Sequence, residues 1–525
     1  MNKYVFALLP LILLAVLGCA AEAPFRLSAV SSLVRVPFDT PLDSTVAADS
    51  AAISAAGGEY ESFQLVLHSL RRSLDSVRCT AAALKGPAGE IPSAEITLNP
   101  VGYVQTTVVG KQYPSSLGWW PDPLLNLDTF PVDSGQVQPV WVTVHVPAGT
   151  PRGEYHGSLE VTCAGGGRAN LPLTVHVWGF SLPDKRSLKT LTWVEPTDGS
   201  SAFEVDRARD VENLKTERER WLSYYDILLK HRLGPGGRLD LSDESLQYCL
   251  DRGMNCFILE NIRSLKNTGR DEYTPGYLDS LRSRLATCAE RFGPRGWLDS
   301  GVAYVYNYDE VDRKHWPLAR RNYELVKSVD PRLRVIQCLN IPEGVRAMAG
   351  FADTWDVYVQ QYDSTGVQER VAAGDEAWMA ICCWPVEHPN NYLEYPSIDR
   401  RIIGWILWKE GVGGFEYWCP NHWNGNTGTP GLRGGWKANT FLDYNGDGYL
   451  LYPDKDGGPL SSVRLECLRD GFEDYEYLAL LKSLGGEAAV PSELVAGTRV
   501  FSSDPALLMR TRDRIAQEIE KRVEK

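Results

Sequence analysis

The chain has 525 residues, 43% of them hydrophobic, 10% aromatic and 23% charged, with a formal net charge of −13. That composition excludes intrinsic disorder and collagen-like fibres, and the length calls for more than one compact core. The acidic balance argues against a nucleic-acid surface, which clusters Lys and Arg. The 16 Trp and 24 Tyr suit sugar stacking, although large domains also bury such rings.

Residues 1–19 carry one Lys and then an apolar run from Tyr4 to Leu17 broken by Pro10. The run is too short to span a bilayer and has the form of a secretory signal. Val16-Leu17-Gly18-Cys19 resembles a bacterial lipobox, with Cys19 as the lipidation site. The alternative is cleavage after Ala23, because Ala21-Glu22-Ala23 fits the small-x-small rule. Either way the protein is expected to be exported. With a lipidated Cys19 it would be anchored to the bacterial cell envelope, on the periplasmic or outer-membrane surface. No other apolar run approaches ~18 residues, so membrane contact is expected through the lipid anchor only.

From 25 to 182 the pattern has period two, punctuated by Gly and Pro. Ser62–Leu67, Val140–Val146, Tyr155–Thr162 and Leu171–Val177 alternate or run in β-branched and aromatic residues, which predicts an antiparallel β-sandwich. Cys79 and Cys163 could bridge within it. Ser181-Leu182-Pro183-Asp184 reads as a linker.

From 186 to 525 short buried strands alternate with amphipathic helices, and this predicts parallel β/α units. Strands are expected at Thr190–Val194, Met254–Leu259, Val302–Tyr308, Arg334–Leu339, Trp355–Gln360, Ala377–Cys383 and Gly414–Trp418. Helices are expected at Arg207–Lys230, Tyr277–Phe292, His315–Val329 and Ile398–Glu410, and two more, Val463–Leu484 and Ala506–Glu524, close the chain. About eight strands fit a (β/α)8 barrel. No Gly-rich dinucleotide fingerprint follows the first strand. The fold class is therefore multidomain: an N-terminal antiparallel sandwich, then a TIM-like barrel.

Four Asp-Glu dipeptides occur. Asp243-Glu244, Asp271-Glu272 and Asp375-Glu376 sit in capping or loop contexts. Only Asp309-Glu310 ends an aromatic, apolar strand, where a barrel displays its catalytic groups. Ordinary retaining glycosidases hold two carboxyls ~5 Å apart across the bond, and inverting ones ~6.5–9.5 Å apart. Sequence neighbours approach a sugar from one side instead. They can serve two atoms of one N-acetylhexosamine, one protonating the glycosidic oxygen while the other orients the 2-acetamido group. The substrate's carbonyl oxygen then attacks C1 to give an oxazoline, with net retention.

Tyr308-Asp309-Glu310, Gly446-Asp447-Gly448-Tyr449-Leu450-Leu451-Tyr452-Pro453, Arg464-Leu465-Glu466 and Arg469-Asp470-Gly471-Phe472-Glu473-Asp474-Tyr475-Glu476-Tyr477-Leu478 resemble glycoside hydrolase family 123 and its uncharacterised relatives. Gly58-Glu59-Tyr60-Glu61-Ser62-Phe63-Gln64 does so in the first half. The resemblance implies a sandwich followed by a catalytic barrel and β-N-acetylgalactosaminidase activity. It implies Glu310 as general acid/base and Asp309 as the acetamido-orienting carboxylate. Asp454 stands where the family pattern leads one to expect Gly.

Candidates for the sugar-binding walls, by position near strand ends, are Asn307, Tyr358, Trp384, Tyr417, Trp418, Trp423 and Tyr452. Asn307 would face the barrel interior and orient Asp309, or else serve as a core amide. Trp405 and Trp408, at i and i+3 on a helix, read as packing. Asp443–Asp454 imitates a calcium loop, but Pro453 and the aromatic run argue for an active-site loop. The eight His form no ligand-spaced cluster, so neither a metal nor an organic cofactor is expected. Arg400-Arg401 and Glu473-Asp474…Glu476 read as solvated or capping faces.

The function expected is release of terminal β-linked N-acetylhexosamine, best N-acetylgalactosamine, from a glycolipid, glycoprotein or polysaccharide. The rivals are a non-catalytic glycan-binding surface lipoprotein and a glycosidase of different sugar specificity.

Overall fold

A computed structural model of the chain describes residues 24–39, 46–70, 72–195, 217–266, 268–423 and 430–524. The leader and Cys19 fall outside these residues, as do 207–216 of the predicted helix that ends at Lys230. No described helix is long and apolar enough to cross a membrane.

The first half forms two facing sheets. One has five antiparallel strands in the order Phe25–Ser31, Glu59–Ser69, Val137–Val146, Ile96–Thr106, Gly118–Leu124. The other is built around Gly153–Thr162 and Arg168–Ser181, and there Ala51–Gly57 pairs in parallel with Arg168–Ser181. The sheets are therefore antiparallel apart from that pair. Alternate residues fill the core between them: Phe63, Leu65 and Leu67 with Val140, Val142 and Val144 from one sheet, and Leu159, Val161, Leu171, Leu173 and Val175 from the other. Val137–Val146 is buried on nearly every residue, because its other face, with Trp141, packs into the cluster shared with the C-terminal helices. Cys79 and Cys163 are free thiols, so the possible bridge between them is not formed.

The second half is a nearly closed parallel barrel. Seven strands run in the order Lys189–Thr192, Gly414–Tyr417, Glu376–Ile381, Thr354–Tyr358, Arg334–Leu339, Ala303–Tyr306, Phe257–Asn261. The expected eighth strand is absent among the described residues. Its place between the two edge strands is taken by Gly234–Gly237. Thr192 N donates to Gly234 O, Gly237 N to Thr192 O, and Ile258 N to Gly236 O. A Cβ on Gly234 would lie 2.3 Å from Thr190 O, and one on Gly236 2.3 Å from Cys256 O. Only glycine permits that approach, and the resulting Gly-Pro-Gly-Gly run hides the slot from any strand pattern.

The helices Ile398–Lys409 and Val463–Ser483 cross where Gly404 meets Gly471. A Cβ on Gly404 would fall 1.8 Å from Gly471 O. This crossing carries a buried ion network that joins barrel helices to sandwich. Arg401 makes a bidentate contact with Glu61 (2.8 and 2.9 Å) and donates to Asp474 Oδ2 at 2.8 Å. Arg512 meets Glu59 and, at 3.0 Å, Asp474. Arg464 pairs with Asp122 at 2.8 Å, and Glu466 accepts from His231 and Arg469. The expectation of solvated faces for Arg400-Arg401 and Glu473–Glu476 is thus reversed. All are sealed, because a 21-residue helix with neighbours on every side buries its charged face too. The family-like sequence stretches in both halves are largely this network.

Candidate active site

The barrel strands alternate inward and outward residues. Tyr304 and Tyr306 face the interior with Cys338, Tyr358 and Ala380, whereas Ala303 and Val305 pack on the helices. Asn307 continues the outward set. It donates to Ala319 O at 3.1 Å and accepts from Asn322 at 2.9 Å. Asn307 is therefore a core amide holding the helix Trp316–Val329, not a group that orients Asp309.

After Tyr306 the chain turns sharply. Glu310 adopts φ 44°, a left-handed conformation that costs a non-glycine residue about 1–3 kcal/mol and collects at functional sites. The turn sends the two carboxyls different ways. Asp309 enters a cavity of about 260 Å³ at the C-terminal ends of the strands, with Trp193, Tyr306, Tyr358 and Trp418 as aromatic walls. Glu310 lies outside that lining, 2.6 Å from Lys266 Nζ, with its side chain 24% exposed. The Lys266 ammonium is partly buried, yet Glu310, Asp309 and Asp312 hold it above its ordinary range.

Asp309 is open to water through the cavity but crowded by protein around it. That crowding lifts its carboxyl to about 6, helped by the charges of Glu310 and Glu416 and opposed by Lys266. The dehydration is that of a narrow pocket, so a ring seated over Asp309 would deepen it.

Two further carboxyls line the same cavity, Asp356 and Glu416. Glu416 accepts from Trp193 Nε1 at 2.7 Å. The Tyr306 hydroxyl lies 3.3 Å from Glu416 Oε2 and 3.4 Å from Asp309 Oδ1, so its one proton is shared between them. Asp356 and Glu416 face the same space. Burial, then the charge of Asp309, raises Asp356 to about 6. Burial and Asp356 raise Glu416 well above the carboxylate range. Sequence reasoning passed over both, as well as Trp193 and Tyr306. Each lies inside an apolar strand run, and the usable sign was a charged residue at an inward position of a buried strand.

Of the predicted walls, Tyr358 and Trp418 line the cavity. The Trp418 indole is steadied by Asp447 Oδ1 at 3.1 Å and by Phe441, 4.7 Å between ring centres. Trp384 follows the strand Glu376–Ile381 and is 41% exposed, outside the cavity lining. Three others are sealed away. Tyr417 alternates outward and accepts from Gly448 N. Trp423 donates to Leu451 O at 2.8 Å, and the Tyr452 hydroxyl bonds Asp122 of the sandwich. Each polar tip is satisfied by a buried partner, which removes these side chains from the site. Asp447 is likewise buried, with its carboxyl pushed by dehydration to about 7.

At about 260 Å³ the cavity is smaller than typical drug-sized ligand pockets, ~300–1,000 Å³, and matches a single sugar ring. A wider opening of about 640 Å³ adjoins it and shares Trp193, Asn261 and Trp418. The crevice of about 430 Å³ around Tyr60, Arg186 and Lys230 lies instead toward the N-terminal end of the first strand, where barrels carry no chemistry.

Residues 261–481 match the glycoside hydrolase 123 catalytic domain, and residues 40–163 the glycoside hydrolase 123 N-terminal domain. Among solved structures, the chain is similar to a family 123 glycoside hydrolase from Clostridium perfringens, studied for glycolipid glycan hydrolysis. Identity is 14% and the TM-score 0.70, over 95% of this chain and 98% of that one; at that identity the likeness speaks for the fold. A family 5 xyloglucanase from Bacteroides ovatus (7% identity, TM-score 0.31, 81% of this chain and 98% of that one) aligns too loosely to carry an inference. So does a family 39 glycoside hydrolase from Bacteroides cellulosilyticus (10%, 0.33, 81% and 81%). No curated protein matches the sequence. With a sandwich, a parallel barrel and paired carboxyls at the strand ends, the chain belongs to glycoside hydrolase family 123 and is a glycosidase.

Proposed function

We propose that the enzyme releases a terminal β-linked N-acetylhexosamine, best N-acetylgalactosamine, by substrate-assisted hydrolysis with net retention. The observation that carries this reading is the split of Asp309 and Glu310 at one turn, one carboxyl lining a single-ring pocket and the other outside that lining. Asp309, steadied by the Tyr306 hydroxyl, accepts the acetamido N–H and makes the carbonyl oxygen a better nucleophile toward C1. Glu310 protonates the departing glycosidic oxygen. Water activated by Glu310 then opens the oxazoline. Tyr358 and Trp418 supply the hydrophobic walls. A glycolipid is a natural substrate class, since the similar clostridial enzyme was studied on glycolipid glycans. Residues 1–19 support export with a lipid anchor on Cys19, and the mass of the mature N-terminal peptide tests it.

Aryl β-GalNAc, β-GlcNAc and β-Gal substrates test the activity. Turnover of the 2-acetamido sugars alone is expected, and equal turnover of β-Gal contradicts the mechanism. Asp309 must be ionised in this cycle, so kcat/KM should rise with pH through about 6, and Asp309→Asn should abolish that limb. A rate that falls through the same window would make Asp309 the acid instead.

A further inference from the structure

Asp356 and Glu416 have no part in the cycle above, and packing does not account for them. Ala380, on the strand between theirs, pairs with Tyr358 on one side and Glu416 on the other. Asp356 sits two residues before Tyr358, so it shares that inward face and lines the same cavity as Glu416. Glu416 is anchored by Trp193 and Tyr306. Asp356 is fully buried, and beyond the weak Cys338 thiol no amide, guanidinium, ammonium or hydroxyl donor reaches either of its oxygens. Among the described residues no Lys or Arg forms an ion pair with either carboxyl. Lys266 is engaged by Glu310, and Lys189 and Arg334 are engaged by Glu376.

A buried carboxyl with so weak a donor is costly, and Asp356 lines the cavity that a ring can enter, as does the better-anchored Glu416. What Asp356 lacks is what a sugar carries, namely hydroxyl donors. The pair therefore offers several acceptor oxygens to the hydroxyls of a bound ring.

We propose that Asp356 and Glu416 grip ring hydroxyls of the bound sugar and so set which hexosamine epimer the pocket prefers. This rests on the reading that the pocket takes an N-acetylhexosamine.

The volume-conserving variants Asp356→Asn and Glu416→Gln test it in the full chain. Binding of GalNAc, GlcNAc and galactose is measured by calorimetry, beside steady-state kinetics on aryl β-GalNAc and its 3-, 4- and 6-deoxy analogues. Each variant should weaken sugar binding and raise KM by about 10- to 100-fold, the loss expected for hydrogen bonds to a charged partner, with a smaller fall in kcat. The analogue lacking the gripped hydroxyl should lose a similar factor on wild type and little more on the variants. Variants that keep wild-type melting, KM and the full deoxy penalty would overturn the proposal, leaving the pair structural. If a variant fails to fold, the deoxy series on wild type decides: no penalty at any position refutes the grip. Lost sugar binding in the variants, without neighbouring-group participation in wild type, would refute the hydrolytic cycle and leave the carboxyl pair standing.

Discussion

Between the sandwich and the barrel, Glu61 and Asp474 close on Arg401, and Glu466 closes on Arg469 and His231. At the barrel mouth, Asp309, Asp356 and Glu416 crowd one cavity with Lys266 held off by Glu310. Both regions bury carboxyls, but the first pairs them with cations and the second does not. In the network the arginines hold Glu61 and Glu466 below the usual range despite burial. Glu59, at its edge, is still lifted by burial to about 7. At the mouth every shift cited runs upward. One arrangement joins two halves of a fold, and the other keeps acids near the pH at which they exchange protons.

Substitutions should separate the two regions. The largest effect on rate is expected from Glu310→Gln, with kcat/KM on an aryl β-GalNAc falling about 10²–10⁴-fold, the usual worth of a general acid, and the melting temperature held. Arg401→Met should do the reverse. It takes the bidentate partner from Glu61 and one of two guanidinium partners from Asp474, leaving both to Arg512, and should destabilise by about 3 kcal/mol in urea unfolding, while activity per folded molecule stays at wild-type level. A rate loss in that variant at full folding would mean that the network reaches the site. Asn307→Ala removes two buried hydrogen bonds on the outer side of the barrel. About 1–3 kcal/mol of stability should go without change in KM. A raised KM would restore Asn307 to the site.

The smallest effect is a slope. Asp356 is raised from an unfolded value near 4 to about 6, so folding loses stability as pH climbs through that window. Asp356→Asn should flatten the loss and gain on wild type between pH 4 and 6, read as melting temperature against pH. Glu61 and Glu466, whose values are lowered, contribute stability above their unfolded range that is lost as pH falls below it. Glu61 and Glu466 should therefore bend the stability profile in the direction opposite to Asp356, while Glu59, raised to about 7, bends it the same way.

Much of this was legible in the residues. Arg334–Leu339 was placed to the residue, and Ile398–Lys409 and Pro505–Val523 to within one, because strong apolar periodicity survives burial. Asp309-Glu310 stood out because a strand ended there. The reading failed where tertiary contact overrules local pattern. Gly234–Gly237 acts as a strand-like closure with no side chains to signal it. Arg401 and Asp474 look like surface until a second domain covers them. Tyr417, Trp423 and Tyr452 lie near strand ends yet turn their polar tips inward. Asp356 and Glu416 were missed because a lone acid in an apolar strand acquires meaning only when the barrel curls and brings the two together.

The central claim is that the substrate's own acetamido oxygen attacks C1. The direct measurement is kcat/KM on aryl β-GalNAc substrates whose N-acyl group carries zero, one, two or three fluorines, each weakening that oxygen further. The account predicts a steep, progressive fall in wild type. A flat series would contradict it and hand the nucleophile's role to a carboxylate of the enzyme.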